Sequence, residues 1–347
     1  MLMTEGMEIE WGQSVYPNAL WGEVGGGGKY YDPQLENYLA NIVRTLHSVS
    51  HRPNLPVRFV IQSSSVPNAW AIPSYVAMTR GLLAGLENEA QFAFIMGHEM
   101  GHVAARHSAS QVSRSILIQL GLAGLGAALK DQKQSELILG IGAIGSNLFL
   151  LKYSRDQEFQ ADGLGALYMG KIGYDPYETM NTLQRLEHIT NDYLQRTGKG
   201  TRESSFLEEL FSTHPPMKDR VNHLHSSIPT IGNFQKAEDG KRFNTFQMMT
   251  SRLRQTHQAY IHYDMAVRSF YEDRLWESEN QLDRAFQMAM NQAPFYNLKG
   301  LIEIKKGNLY NAEIQLRRAI EIDSEYQPAF HAMGFVHYLN RNYSLAL

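Results

Sequence analysis

Cysteine is absent from all 347 residues. That removes disulfides, thiolate metal ligands and thiol nucleophiles together, so any metal here must be held by His and carboxylate groups. A chain without thiols suits an oxidising compartment, where stray thiols are a hazard, but many cytosolic proteins also have few. No charge of one sign dominates either, with 32 Lys and Arg against 35 Asp and Glu. Nucleic acid is therefore not an expected partner, because the broad basic field that binds it is missing. The N-terminus, "MLMTEGMEIEWG", lacks the basic and apolar regions of a signal peptide. Two readings follow: a cytoplasmic chain, or a presequence outside the given sequence.

What is present is enough apolar residue, 43% of the chain, to bury a sizeable core, and the length suggests two units. "DPQLENYLANIVRTLHSV" (32–49) opens with Asp-Pro and repeats apolar residues at helical spacing, which predicts an amphipathic helix. "VRFVIQSS" (57–64) alternates and is β-branched, and "NAWAIPSYVAMTRGLL" (68–83) follows Val66-Pro67; two or three short strands are expected here. The next segment, "ENEAQFAFIMGHEMGHVAARHSAS", is free of proline and acidic at its start, so it reads as a helix.

Two apolar runs, 116–129 and 137–151, flank "KDQKQSE". Each is shorter than the roughly 20 residues of a membrane-spanning helix. They predict an apolar helical hairpin at about 116–151, either buried against protein or resting on a membrane surface. From about residue 255 the texture is helical throughout. Gly300 recurs as Gly334, Ala285 as Ala319, Ala312 as Ala346, and Leu275 as Leu309 and Tyr343. Small residues at a period of 34 are the mark of tetratricopeptide repeats, with an unrelated helical bundle as the alternative. The expected layout is a first domain over 1–230, a linker over 231–254 and repeats over 255–347. The third repeat stops within its second helix, which suggests truncation.

"GHEMGHVAARH" (97–107) places His98, Glu99 and His102 in the spacing H-E-x-x-H, expected by chance roughly 0.03 times in a chain of this size. On a helix, residues four apart are turned by about 400°, so both rings leave nearly the same face and can reach one ion. Glu99 lies one step around, where it can address a water on that ion. A zinc hydrolase needs a third protein ligand and an open fourth position. Glu158 in "RDQEFQADGLGALYMG" is the candidate ligand. Asp162, one turn later, would accept the free ring N–H of one ligand His and fix its tautomer. The alternative is a pair of ordinary surface acids.

These segments, together with "STHPPMKDRVNHL", resemble the zinc metallopeptidase family of the HtpX and CAAX-prenyl proteases, and within it the soluble, repeat-bearing BepA-like branch. The resemblance covers about residues 30–230 and the trailing repeats. It implies an α+β, mainly helical zincin of gluzincin type with a small sheet, followed by an all-α repeat domain. It also implies Zn2+ on His98, His102 and Glu158, with Glu99 as catalytic base. His214 would be a fourth ligand in a latent state that moves aside to help stabilise the oxyanion, or else a capping residue at the Pro-Pro turn. Arg220 would be an oxyanion or structural residue. His107, His188, His223 and His225 match no ligand position and read as surface or local packing residues.

An extended peptide substrate needs a platform, and Asn68, Ala69, Trp70 and Ala71 are the candidate edge strand, with an ordinary core strand as the alternative. The resemblance further implies a periplasmic endopeptidase for misfolded or stalled outer-membrane proteins, its repeats recruiting unfolded clients or the outer-membrane assembly machinery. The rival from another class is a latched zinc-binding chaperone or scaffold. Glu99 argues against it, because such a site has no duty for that residue. A membrane-embedded protease is disfavoured by the short apolar runs.

Overall fold

The computed structural model describes residues 2–22, 27–122, 153–197 and 217–346. It is mostly helical with one small three-stranded sheet, consistent with an α+β class. Two compact units divide near Thr250, with the described residues 193–197 grouping with the second.

In the first unit, helix α1 (Glu5–Trp21) is capped by Thr4. Helix α2 (Pro33–Ser48) starts where the Asp32 carboxylate accepts from the Leu35 amide at 3.1 Å, with Pro33 in the first turn. Its stripe of Leu35, Leu39, Ile42, Val43 and Leu46 is buried. Strands β1 (Val57–Gln62), β2 (Ala69–Ile72) and β3 (Ser74–Thr79) follow. Their order is β1-β3-β2, with β1 parallel and β2 antiparallel to β3. Among the described residues β2 is therefore an edge strand of this sheet. The turn from β2 to β3 is sharp enough to put Ser74 in the left-handed region, φ +77. Against that turn lies Gly12 of α1, where a Cβ would sit 2.0 Å from the Pro73 carbonyl oxygen. Trp11, Val15 and Ala19 of α1 bury one sheet face together with Trp70, Ile72 and Ala77.

A short helix α3 (Arg80–Gly85) leads to α4 (Glu89–Ala104), capped by Asn88, whose side chain accepts from the Gln91 amide. Helix α5 (His107–Leu122) continues from it. Helix α6 (Arg155–Lys171) opens with a reciprocal capping box between Ser154 and Gln157. α4 and α6 pack together through small residues. A Cβ on Gly97 would stand 3.1 Å from the Cα of Gly165, and one on Gly101 would stand 3.1 Å from the carbonyl oxygen of Ala161. Helices α7 (Glu178–Thr197) and α8 (Met217–Ile231) complete the described helices before the segment that follows.

Residues 231–254 span the expected linker, and part of the segment hydrogen-bonds to the turn after α6 and to the start of α4. Ala237 donates to Gly173 O, Asp175 donates to Gly240 O, and Glu89 at the start of α4 donates to Lys241 O. The Glu89 carboxylate also accepts from Tyr38 and Tyr174 hydroxyls at 2.5 Å each and from Arg242. From Phe243 a 29-residue helix, α9 (Phe243–Tyr271), begins.

The second unit continues with α10 (Leu275–Met288), α11 (Ala293–Lys305), α12 (Leu309–Ile322), α13 (Gln327–Leu339) and the short α14 (Tyr343–Ala346). The residues that recur every 34 positions sit where these helices touch. Ala285, Ala312 and Ala319 are fully buried, and a Cβ on Gly300 would lie 2.7 Å from Leu316 Cγ. Trp276 and Tyr310, also 34 apart, are both exposed.

Of the expected hairpin at 116–151, only the backbone of 116–122, within α5, belongs to the described residues. No described helix is long and apolar enough to cross a membrane.

Candidate metal centre

α4 carries His98 and His102 one turn apart, and α6 brings Glu158 to face them; all three are buried. The two His Nε2 atoms are 3.1 Å apart. Glu158 Oε2 is 3.7 Å from His98 Nε2, and its Oε1 is 3.6 Å from His102 Nε2. A tetrahedral ion with ligands at about 2.0–2.2 Å separates its ligand atoms by roughly 3.3–3.6 Å. The spacings of 3.1–3.7 Å lie around that range, with Glu158 facing each ring through a different oxygen, and two imidazoles with one carboxylate are a donor set that zinc accepts. Among the described residues, His98, His102 and Glu158 form the cluster of three such groups close enough to hold one metal ion. The glycines at the α4/α6 contact make it possible, since larger residues would hold Glu158 away from the rings.

Each ring is tied from behind. His98 Nδ1 donates to Asp162 Oδ1 at 2.8 Å, which leaves Nε2 free to point at the ion. Asp162 is fully buried and is gripped by Arg220, whose Nε donates to Oδ2 at 2.8 Å and whose Nη2 donates to Oδ1 at 2.5 Å. Burial alone would raise the Asp162 pKa, but the Arg220 guanidinium and the His98 ring hold it down to about 2. For His98, burial works against the charged ring, the bond to Asp162 outweighs it, and the net direction is upward. The Arg220 guanidinium is committed to Asp162 and also approaches Glu158, 3.9 Å away.

His102 is tied by residues that the sequence did not single out. Its Nδ1 is 2.8 Å from His107 Nδ1, and His107 Nε2 is 3.0 Å from Gln160 Oε1. The Tyr153 ring stacks on His102 with centroids 3.9 Å apart and planes 20° from parallel, and its hydroxyl meets Ser108 Oγ at 2.8 Å. Burial pushes the His107 ring down in pKa, toward its neutral form. His107 is buried, so of its two expected roles the packing one describes it, although its contact is with a ligand of the site. The helix-face rule misses it because the helical path breaks between α4 and α5. Arg106 takes φ +59 there, held by Glu8 and the Met3 carbonyl.

Beside the cluster lies a cavity of about 120 Å³ lined on one side by His98, Glu99 and Arg220 and on another by Asn68 and Ala69 of the β2 edge. Leu82, Phe94, Ile95, Leu186 and Met217 supply its apolar wall. Glu99 is half-buried, and its charge acts on both Arg220 and Tyr153. Trp70 packs against α1 and donates to Gln62 Oε1 at 2.9 Å, and neither it nor Ala71 lines this opening. His214 lies outside the described residues.

The model of peptidase family M48 matches residues 33–228. The chain is 28% identical over 179 residues to the mitochondrial metalloendopeptidase OMA1 of Arabidopsis thaliana, covering 51% of this chain and 33% of that one. It is 26% identical over 176 residues to the metalloprotease YcaL of Escherichia coli, covering 50% and 63%. It is also 24% identical over 235 residues to the beta-barrel assembly-enhancing protease of Escherichia coli, covering 60% and 42%. The chain thus spans between about a third and two-thirds of the length of these relatives.

Proposed function

The chain belongs to peptidase family M48, and from that premise we propose that it is a zinc-dependent endopeptidase acting on unfolded protein segments. The observation that carries the proposal is the convergence of His98, His102 and Glu158 within reach of one ion, with Glu99 on the same helix lining the adjoining cavity. His98, His102 and Glu158 would hold the zinc, which would supply Lewis-acid chemistry toward the scissile carbonyl and the attacking water. Glu99 takes the proton of that water and returns it to the leaving amine. Asp162 and Arg220 keep His98 in the tautomer whose Nε2 faces the ion.

The substrate is presented extended, its backbone paired along the β2 edge at Asn68 and Ala69, with Trp70 and Ala71 continuing the strand. The apolar wall beside Glu99 receives an aliphatic or aromatic side chain next to the cleaved bond. His214 acts as a fourth ligand in a latent state and as an oxyanion donor once displaced. The helices after residue 255 act as tetratricopeptide repeats. The evenly spaced, exposed Trp276 and Tyr310 are the kind of surface that recruits clients. The similarity to a beta-barrel assembly-enhancing protease supports a periplasmic role in outer-membrane protein quality control, with the assembly machinery as partner. Contact of residues 116–151 with the membrane surface belongs to the same proposal.

Bound zinc and casein cleavage, measured on the wild-type chain, Glu99→Gln and His214→Ala, test this. Retained zinc with cleavage lost in Glu99→Gln, and cleavage kept or raised in His214→Ala, is the expected result. Zinc bound but no cleavage in either the wild type or His214→Ala would overturn it in favour of a latched chaperone.

A further inference from the structure

We propose that His107 is a positioning residue that sets the metal-facing tautomer of His102 by accepting its Nδ1 proton. The proposal rests on zinc binding as described above. A bond between two imidazole nitrogens holds one proton, so one ring donates and the other accepts. If His102 Nδ1 donates, its Nε2 keeps a lone pair directed at His98 Nε2 and Glu158 Oε1, 3.1 and 3.6 Å away. His107 then carries its own proton on Nε2, 3.0 Å from Gln160 Oε1, a group that can only accept. If the direction is reversed, a neutral His102 carries its proton on Nε2, inside the ligand cluster, and cannot bind the ion. His107 would then face Gln160 lone pair to lone pair, unless the Gln160 amide turned over. One assignment serves all three groups as they stand.

The two ligand rings are therefore backed differently. His98 leans on a carboxylate fixed by Arg220, whereas His102 leans on a second imidazole. Local structure holds that imidazole in place: the left-handed Arg106 turns the chain so that His107, five residues after His102, comes back to its ring. Tyr153 fixes the tilt of His102 from its open face. Gln160 is exposed, so water can replace its carbonyl, and most of the effect belongs to His107.

The experiment uses the full chain and measures zinc affinity by competition with a chromogenic chelator, then kcat and KM on a casein-derived peptide at saturating zinc. His107→Ala is expected to weaken zinc binding about 10- to 100-fold, as loss of a group that orients a metal ligand does, and to lower kcat with KM little changed. His107→Asn, whose side-chain oxygen reaches the place of Nδ1, is expected to recover most of the affinity. Gln160→Leu should weaken it less than His107→Ala. Histidine nitrogen NMR of the zinc-loaded wild type should show His107 protonated at Nε2 and not at Nδ1. The last measurement needs no variant to fold. His107 protonated at Nδ1, zinc affinity of His107→Ala within about twofold of wild type, or His107→Asn as weak as His107→Ala would each overturn the proposal. A wild-type chain that binds no zinc would overturn the metal site itself, which is a separate and recognisable result.

Discussion

Replacing Gly163 and Gly165 by alanine, one at a time, asks whether the metal centre depends on how closely α4 and α6 approach. Both glycines lie in α6, so alanine gains the same intrinsic helical preference at each, about 1 kcal/mol. Their surroundings differ. A Cβ at Gly163 meets nothing within 4 Å, whereas one at Gly165 lands 2.9 Å from the backbone nitrogen of His98 and 3.2 Å from its Cα. Helix backbone cannot swing aside as a side chain can, so the helices must part by roughly 0.5 Å to restore ordinary contact near 3.5 Å. Metal–ligand distances tolerate about 0.2 Å. Glu158 lies about two turns along the same helix, so even half of that displacement at its carboxylate strains the site. Overpacking of this kind costs about 1–3 kcal/mol. Because helix preference cancels between the two variants, Gly165→Ala should unfold roughly 2–12 °C below Gly163→Ala, taking about 2–4 °C per kcal/mol for a unit of this size. Thermal unfolding with and without zinc, and zinc affinity by chelator competition, read both effects. Gly163→Ala should match or exceed wild-type stability and bind zinc normally, while Gly165→Ala should lose on both counts. If the two variants behaved alike, close helix approach would not be what builds the site.

Arg220→Met leaves Asp162 buried beside Glu158 without its cation, and such a broken pair costs about 3–5 kcal/mol; Arg220→Lys should recover only part in the same unfolding assay, because an ammonium cannot make the two-pronged contact. Chelation should lower the melting temperature of the wild type, since an ion held at a thousand times its Kd contributes about 4 kcal/mol. The same chelator should leave Glu158→Gln unmoved; equal sensitivity in that variant would count against Glu158 as a ligand.

The parts of the site that depend on one helix or on two facing helices were legible in the sequence. Asp32-Pro33 marks where α2 starts, and the i, i+4 histidines share a face wherever the segment is helical. The acid pair Glu158 and Asp162, also i, i+4, points two carboxylates one way. What could not be read depends on contacts between distant segments. The two glycines and the proline of "EGMEIEWGQSVYPNALW" argue locally against α1, despite Thr4 and the acidic first turn; Gly12 is required by Pro73, sixty-one residues away. The parallel pairing of β1 with β3 is likewise a tertiary result. His107 escaped because its position depends on a left-handed residue, Arg106, stabilised by Glu8 rather than by its own sequence. The folded state of 231–242 depends on backbone groups around Gly173, Asp175 and Glu89, which carry no side-chain signature.

The family match begins at residue 33 and ends at 228, but the forces that hold α4 come from outside those limits on both sides. Glu8 braces Arg52 and Arg106 at the far end of that helix, and Lys241 and Arg242 engage Glu89 at its start. A fragment excised at the limits of likeness would strip the cover from Ile72 and Ala77. It would also release the Arg106 turn and leave the first residue of α4 without two of its partners. The bounds of such a piece are set by cohesion rather than kinship, and a truncation meant to isolate this unit should keep everything from Met3, whose carbonyl holds Arg106, through Thr250.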